Sequence, residues 1–252
     1  MTRPLEIIAS AQNVKYKIWS SLSDSKGIKK HGLAILSGEK LIQEYLKSNR
    51  PYDCELVCEK GSEPLTKQAL KIFTLSKSLF NELDLNGTGH SLLVIPVEDF
   101  KTSNVTQAVS IEVIAPLQDP RNLGALIRSC AAFGVKKVHL PPAACHPYHP
   151  KCLKVAANGF LHVEFLKCGT LDSLGLEGSS SKQFYILDST GTAIQNLKTK
   201  QNLFLIVGEE GQGIPEALKK SIQKIAIPTQ NIESLNATVA ISIALYQLTQ
   251  GN

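Results

Sequence analysis

The chain has 252 residues, of which 43% are hydrophobic and 19% charged, enough for one large domain or two ordinary ones with real cores. A net charge of +5 is mild, and no apolar run approaches the roughly 20 residues that span a bilayer. The opening MTRPLEIIASAQNVKYK has no long apolar stretch behind its basic residues, so no secretory signal is expected and a cytoplasmic location is.

In chain order, the region up to about Val97 reads as short helices and strands. Asn13 to Arg50 carries eight Lys/Arg against Asp24, Glu39 and Glu44, an excess equal to the net charge of the whole chain. Such a cluster, with Lys15, Lys17, Lys29 and Lys30 as candidates, suits RNA phosphates, and equally suits a solvated lysine-rich surface. Glu39–Lys47 has helical spacing, with Leu41, Ile42 and Leu46 on one side. Cys54–Glu59 and Ser91–Val97 read as strands. The polar, aperiodic 98–108 reads as a linker between a domain of residues 1–97 and another of 109–252.

From Val109 strands and helices alternate. Strands are expected at 109–115, 136–141, 162–166, 183–188, 203–208 and 224–228. Helices are expected at Leu123–Phe133, Pro150–Asn158, from Pro215, and Leu235–Leu248. This alternation implies an α/β fold with a parallel sheet covered by helices, and ligands beyond the carboxyl ends of its strands. The six cysteines, at 54, 58, 130, 145, 152 and 168, lack the spacing of a zinc site and read as reduced thiols, so no metal is expected.

Three segments carry polar groups at strand-to-helix junctions. In Asp119–Gly134 (DPRNLGALIRSCAAFG), Asn122 is placed as an N-cap. Arg128 follows amid apolar neighbours, where a buried guanidinium needs an anionic partner. A structural salt bridge plus an ordinary cap explains this segment equally well. In Val207–Ile214 (VGEEGQGI), glycines 208, 211 and 213 permit a sharp turn and a close ligand approach. No lysine follows the last glycine, and Glu209 and Glu210 would repel a polyphosphate, so a neutral or cationic ligand suits the loop better. The spacing and late position also exclude a dinucleotide fingerprint, and with it a nicotinamide-dependent oxidoreductase. In Ile227–Ala240 (IPTQNIESLNATVA), Ser234 or Asn236 caps a helix. Alone, each segment is also explained by capping or turning.

Together the segments resemble the three motifs of the SpoU (TrmH-like) family of SPOUT RNA 2′-O-ribose methyltransferases. Asn122, Gly124, Arg128, Phe133 and Gly134 match the first motif, and Gly208, Glu210, Gly211 and Gly213 the second. Ile227, Pro228, Ser234, Leu235 and Asn236 match the third. The N-terminal part resembles, on Asn13, the Gly-Glu-Lys at 38–40 and the SLLVIPV strand, the substrate-binding domain of several members.

The resemblance implies a C-terminal parallel-sheet domain with a deep trefoil knot and a smaller N-terminal α/β domain. S-adenosylmethionine would contact Gly208, Ile227 and Leu235. Asn122, Arg128, Glu210, Ser234 and Asn236 would form the catalytic site, with Glu210 as the partner of Arg128. A homodimer acting on RNA, rRNA rather than tRNA, is implied, and a catalytically inactive RNA-binding homologue is the alternative. Two departures bear on it. Ala157 stands where members often have serine, and the loop from Pro228 to Ser234 is about one residue short and lacks its usual glycine.

Overall fold

In a computed structural model that describes residues 5–48, 53–66, 71–174, 183–197, 202–208, 214, 216–232 and 235–250, strands and short helices alternate along the chain. They group into two units, one of residues 1–99 and 146–161, the other of 100–145 and 162–252.

In the first unit, strands β1 (Leu5–Ile8), β2 (Leu33–Ser37), β3 (Glu55–Glu59), β4 (Lys71–Leu75) and β5 (Leu92–Pro96) form one sheet in the order β1-β4-β3-β5-β2. β1, β4 and β3 run parallel, while β5 pairs antiparallel with β3 and β2. Helices α1 (Val14–Ser21), α2 (Ser25–His31), α3 (Glu39–Lys47) and α4 (Lys77–Leu83) connect them. The helix expected at Glu39–Lys47 is α3, and the strands expected at Cys54–Glu59 and Ser91–Val97 are β3 and β5, trimmed at their ends. Trp19 of α1 is buried edge-on against Phe73, ring centroids 5.1 Å apart. α2 follows α1 so closely that a Cβ on Gly27 would lie 1.8 Å from the Ser21 carbonyl oxygen, so only glycine fits there.

The second unit follows the expected alternation: β6 (Ile111–Ile114), α5 (Pro120–Ala132), β7 (Lys137–Leu140), then α6 (Pro150–Ala156), which groups with the first unit. After it come β8 (Glu164–Lys167), β9 (Phe184–Ala193), β10 (Leu203–Ile206), α7 (Glu216–Ser221), β11 (Gln223–Ala226) and α8 (Ala237–Thr249). The six strands make a sheet in the order β11-β9-β10-β6-β7-β8, every pair parallel. All of β6 and β10 is buried, as the unbroken apolar runs of a sheet covered on both faces require. β9 outruns its expected end at Asp188. Its second half pairs with β11 across a register shift between Lys224 and Ile225. There a Cβ on Gly191 would lie 2.6 Å from the Lys224 carbonyl carbon, so the two backbones meet only because residue 191 is glycine.

Two boundary expectations are corrected. Residues 98–108 do not form a linker: the division falls between Asp99 and Phe100, and Val105 and Ala108 are buried in the second unit's core beside Ile114, Phe184 and Phe204. Nor is 109–252 one uninterrupted block, because His146–Leu161 groups with the first unit. There the His146 N–H donates to Ser25 Oγ at 3.3 Å and α6 packs on β2. Ala157, just past α6, holds φ +50 and ψ −132, a conformation an L-residue adopts only under strain.

Candidate active site

β6, β10 and β11 all end at the same edge of the second unit's sheet, since they run parallel, and the three segments leave from those ends.

The first opens α5. Its cap is Asp119, not Asn122: the Asp119 carboxylate accepts the Arg121 N–H at 2.7 Å and Pro120 takes the first helical position. Asn122 therefore lies in the first turn, half-buried, and its backbone N–H also points to Asp119. The Arg121 guanidinium, 2.7 Å from the same carboxylate, and these backbone donors hold the Asp119 carboxyl down at about 2.

Arg128 overturns the expectation of burial. Leu123, Gly124, Leu126, Ile127 and Cys130 form the covered face of α5, and Arg128 faces away from it, exposed. It has no ion-pair partner among the described residues. Its expected partner Glu210 lies outside the described residues, as do Gly211, Gly213 and Ser234. An exposed guanidinium suits a phosphate, which its planar fork can grip through two hydrogen bonds.

The second segment leaves β10 through buried Val207 and half-buried Gly208. The third leaves β11 through Ile227, half-buried, and returns at Leu235, also half-buried. Of the two caps expected for the last helix, Asn236 is the one described. Its Oδ1 accepts the Thr238 N–H at 3.0 Å and the Thr238 hydroxyl at 2.6 Å, which commits the oxygen and leaves the amide N–H₂ as a donor on an exposed residue. Gly208, Ile227 and Leu235, the residues expected to contact a cofactor, are thus each half-buried on the segments that follow β10 and β11.

α5 and α8 pack together, so the helix carrying Arg128 lies against the helix capped by Asn236. Ser129 Oγ lies 2.7 Å from Ser242 Oγ, and Phe133 meets Tyr246 edge-on at 5.8 Å between centroids. Neither serine is among the expected site residues; the available signal was a hydroxyl on the otherwise apolar stripe of each helix.

Among the lysines proposed for RNA, Lys17, Lys29 and Lys30 are exposed, and Lys15 is not free. Its ammonium is ion-paired with Glu55 and sits 4.9 Å above the Phe73 ring centroid. Trp19 Nε1 donates to the other Glu55 oxygen at 3.2 Å. Among the described residues no group of His, Cys, Asp and Glu could hold a metal ion, and no helix is long and apolar enough to cross a membrane.

Residues 110–246 match the SpoU rRNA Methylase family. A "Ribosomal RNA small subunit methyltransferase G 2" of Syntrophobacter fumaroxidans is 33% identical over 95% of this chain; the chain spans 48% of that relative's length. The "23S rRNA (guanosine(2553)-2'-O)-methyltransferase RlmP" of Bacillus subtilis is 28% identical over 96% of this chain and 98% of its own. In fold, the chain is similar to an AdoMet-bound rRNA methyltransferase from Sinorhizobium meliloti, with a TM-score of 0.79, 17% identity and 97% of each chain covered.

Proposed function

The chain belongs to the SpoU rRNA Methylase family, and on that premise we propose that it transfers a methyl group from S-adenosylmethionine to a ribose 2′-hydroxyl of rRNA. The observation that carries this reading is the exposed Arg128, without an ion-pair partner among the described residues, on a helix packed against the helix that Asn236 caps, both rising from one end of a parallel sheet.

S-adenosylmethionine, when bound, supplies an already activated sulfonium methyl. Gly208, Ile227 and Leu235 would hold it. A ribose hydroxyl is a weak nucleophile until its proton is shared or removed, so the chain's own task is alignment and charge stabilisation. Arg128 holds the phosphate beside the target ribose and stabilises the developing alkoxide, since a guanidinium offers donors and no acceptor. Asn236 donates its amide N–H, and Asn122, Glu210 and Ser234 complete the constellation.

The first unit binds RNA, with Lys17, Lys29 and Lys30 on phosphates. The second unit carries the trefoil knot expected for the family. The active form is a cytoplasmic homodimer, a reading supported by the exposed stripe Val239, Ile243 and Tyr246 on α8.

The test is transfer from radiolabelled S-adenosylmethionine into rRNA from cells lacking the gene. A 2′-O-methyl mark survives alkali as an uncleaved dinucleotide, and Arg128→Ala should slow its formation by about 10²–10³-fold. Binding of S-adenosylhomocysteine without transfer to any RNA would leave an RNA-binding homologue instead.

A further inference from the structure

The α5–α8 contact holds a polar joint inside an otherwise apolar seam. Ser129 Oγ lies 2.7 Å from Ser242 Oγ, 3.0 Å from the Ala125 carbonyl oxygen, and Ser242 Oγ lies 2.6 Å from the Thr238 carbonyl oxygen. Both serines are half-buried. Two hydroxyls carry two protons, so only two of these three contacts are hydrogen bonds at once. The Ser242–Thr238 contact is the shorter of the two bonds to carbonyls. With Ser242 donating there, the Ser129 proton goes to Ser242 Oγ, and the two helices are joined.

The joint leads directly to the site at both ends. Thr238, whose carbonyl accepts from Ser242, also donates its N–H and hydroxyl to Asn236 Oδ1 at 3.0 and 2.6 Å. Ser129 is the residue after Arg128, about 1.5 Å further along α5, and Ser242 lies six residues, about 9 Å, beyond Asn236 along α8. A continuous line of hydrogen bonds therefore runs Asn236–Thr238–Ser242–Ser129 and ends one residue from the guanidinium. A hydroxyl pair at 2.7 Å adds to the packed apolar seam a directional contact that is sensitive to distance, and so fixes the axial position of one helix on the other.

We propose that Ser129 and Ser242 are positioning residues: their hydrogen bond sets the register of α5 against α8, and so holds Arg128 and Asn236 at the separation that methyl transfer needs. This rests on the functional reading above. Neither serine touches a ligand in this account; both act through the residues they fix.

Serine to alanine within a helix preserves the helix, so Ser129→Ala, Ser242→Ala and the double variant are suitable probes in the full-length protein. Each single variant should lower kcat about tenfold, because small misplacements of catalytic groups are costly. KM for S-adenosylmethionine and for RNA should stay within about twofold, since no binding contact is removed. The double variant should be no worse than the poorer single, because one joint is lost only once. Unchanged kcat in the folded single variants, losses that multiply in the double, or a change confined to KM would each overturn the proposal.

A second readout needs no catalysis. Nitrogen-15 NMR of the Arg128 Nε–Hε group and the Asn236 side-chain amide should show that Ser129→Ala shifts the Asn236 signal and Ser242→Ala the Arg128 signal. Absence of both cross-effects sinks the joint. If the wild-type protein methylates no RNA, the functional reading fails while the resonances still decide the proposal.

Discussion

Two charged regions of the second unit are built on opposite plans. On β6 and β7, Glu112 and His139 are buried at 3% and 1% exposure. Their side chains meet at 2.7 Å, and the Lys137 ammonium stands 3.6 Å from the second carboxylate oxygen. On α5, Arg128 is exposed and has no ion-pair partner among the described residues. Charges that satisfy one another inside the sheet hold the fold and have nothing left for a ligand. A charge kept at the surface without a partner adds little to stability and remains available to substrate.

The largest expected effect tests the exposed end. Arg128→Ala should lower kcat/KM for methyl transfer by about 10²–10³-fold, the usual cost of one lost donor to a developing charge. The midpoint of thermal unfolding should hardly move, because a surface substitution without partners changes stability by about 0.5 kcal/mol at most. A large drop in melting temperature would show that Arg128 is structural, and the comparison would break.

The buried cluster should respond the opposite way. Glu112→Ala strands His139 and Lys137 and should cost about 3–5 kcal/mol, measured by denaturant unfolding, with kcat of the folded protein retained. Burial alone would push the Glu112 carboxyl up, but the His139 hydrogen bond and charge, then Lys137, outweigh it and leave the value lowered. A lowered folded-state carboxyl contributes stability fully above its unfolded value, about pH 4.3, and loses it as pH falls through the folded value. Wild-type stability should therefore fall in acid below that pH, and the part due to Glu112 should be absent from Glu112→Gln. The His139 ring is held to Glu112 through Nε2, while its Nδ1 is buried with no hydrogen-bond partner among the described residues.

Asn236 stands between the two plans, since its oxygen is committed to the fold and its nitrogen is not. Asn236→Asp keeps the capping oxygen and should unfold like the wild type, yet lose most of its methyl transfer. Asn236→Ala should lose transfer and in addition about 1 kcal/mol of stability with the cap. Equal activity in Asn236→Asp and wild type would confine Asn236 to capping.

What could be read in advance follows from the range of the force concerned. β6 and β10 were legible because a strand covered on both faces must be apolar along its length, and α3 because one helix face is apolar at a regular spacing. The Asn236 cap was legible as a local hydrogen bond. The second half of β9 was not, since after the polar Asp188, Ser189 and Thr190 it is Thr192 and Ala193 that rejoin β11, by tertiary pairing rather than by their own preference. The exposure of Arg128 was misread because its sequence neighbours are apolar, although Leu126, Ile127 and Cys130 turn to the buried side of the helix and Arg128 does not. The placement of His146–Leu161 and the Ser129–Ser242 joint, between residues 113 apart, depend on tertiary contacts that no local pattern encodes.

The smallest effects separate the lysines of the first unit on the same principle. Lys15 is committed to Glu55, forty residues away, while Lys17, Lys29 and Lys30 are exposed. Each lysine that neutralises a phosphate adds close to one unit to the slope of log K against log salt. Lys29→Ala and Lys30→Ala should each lower that slope for RNA by about one, without changing stability. Lys15→Ala should leave the slope alone and cost at most about 1 kcal/mol of stability, since the ammonium is part-exposed and its pair is screened by solvent. A slope that falls with Lys15→Ala would mean that the ion pair opens to receive RNA, and a paired charge would then have to be counted among those available to a ligand.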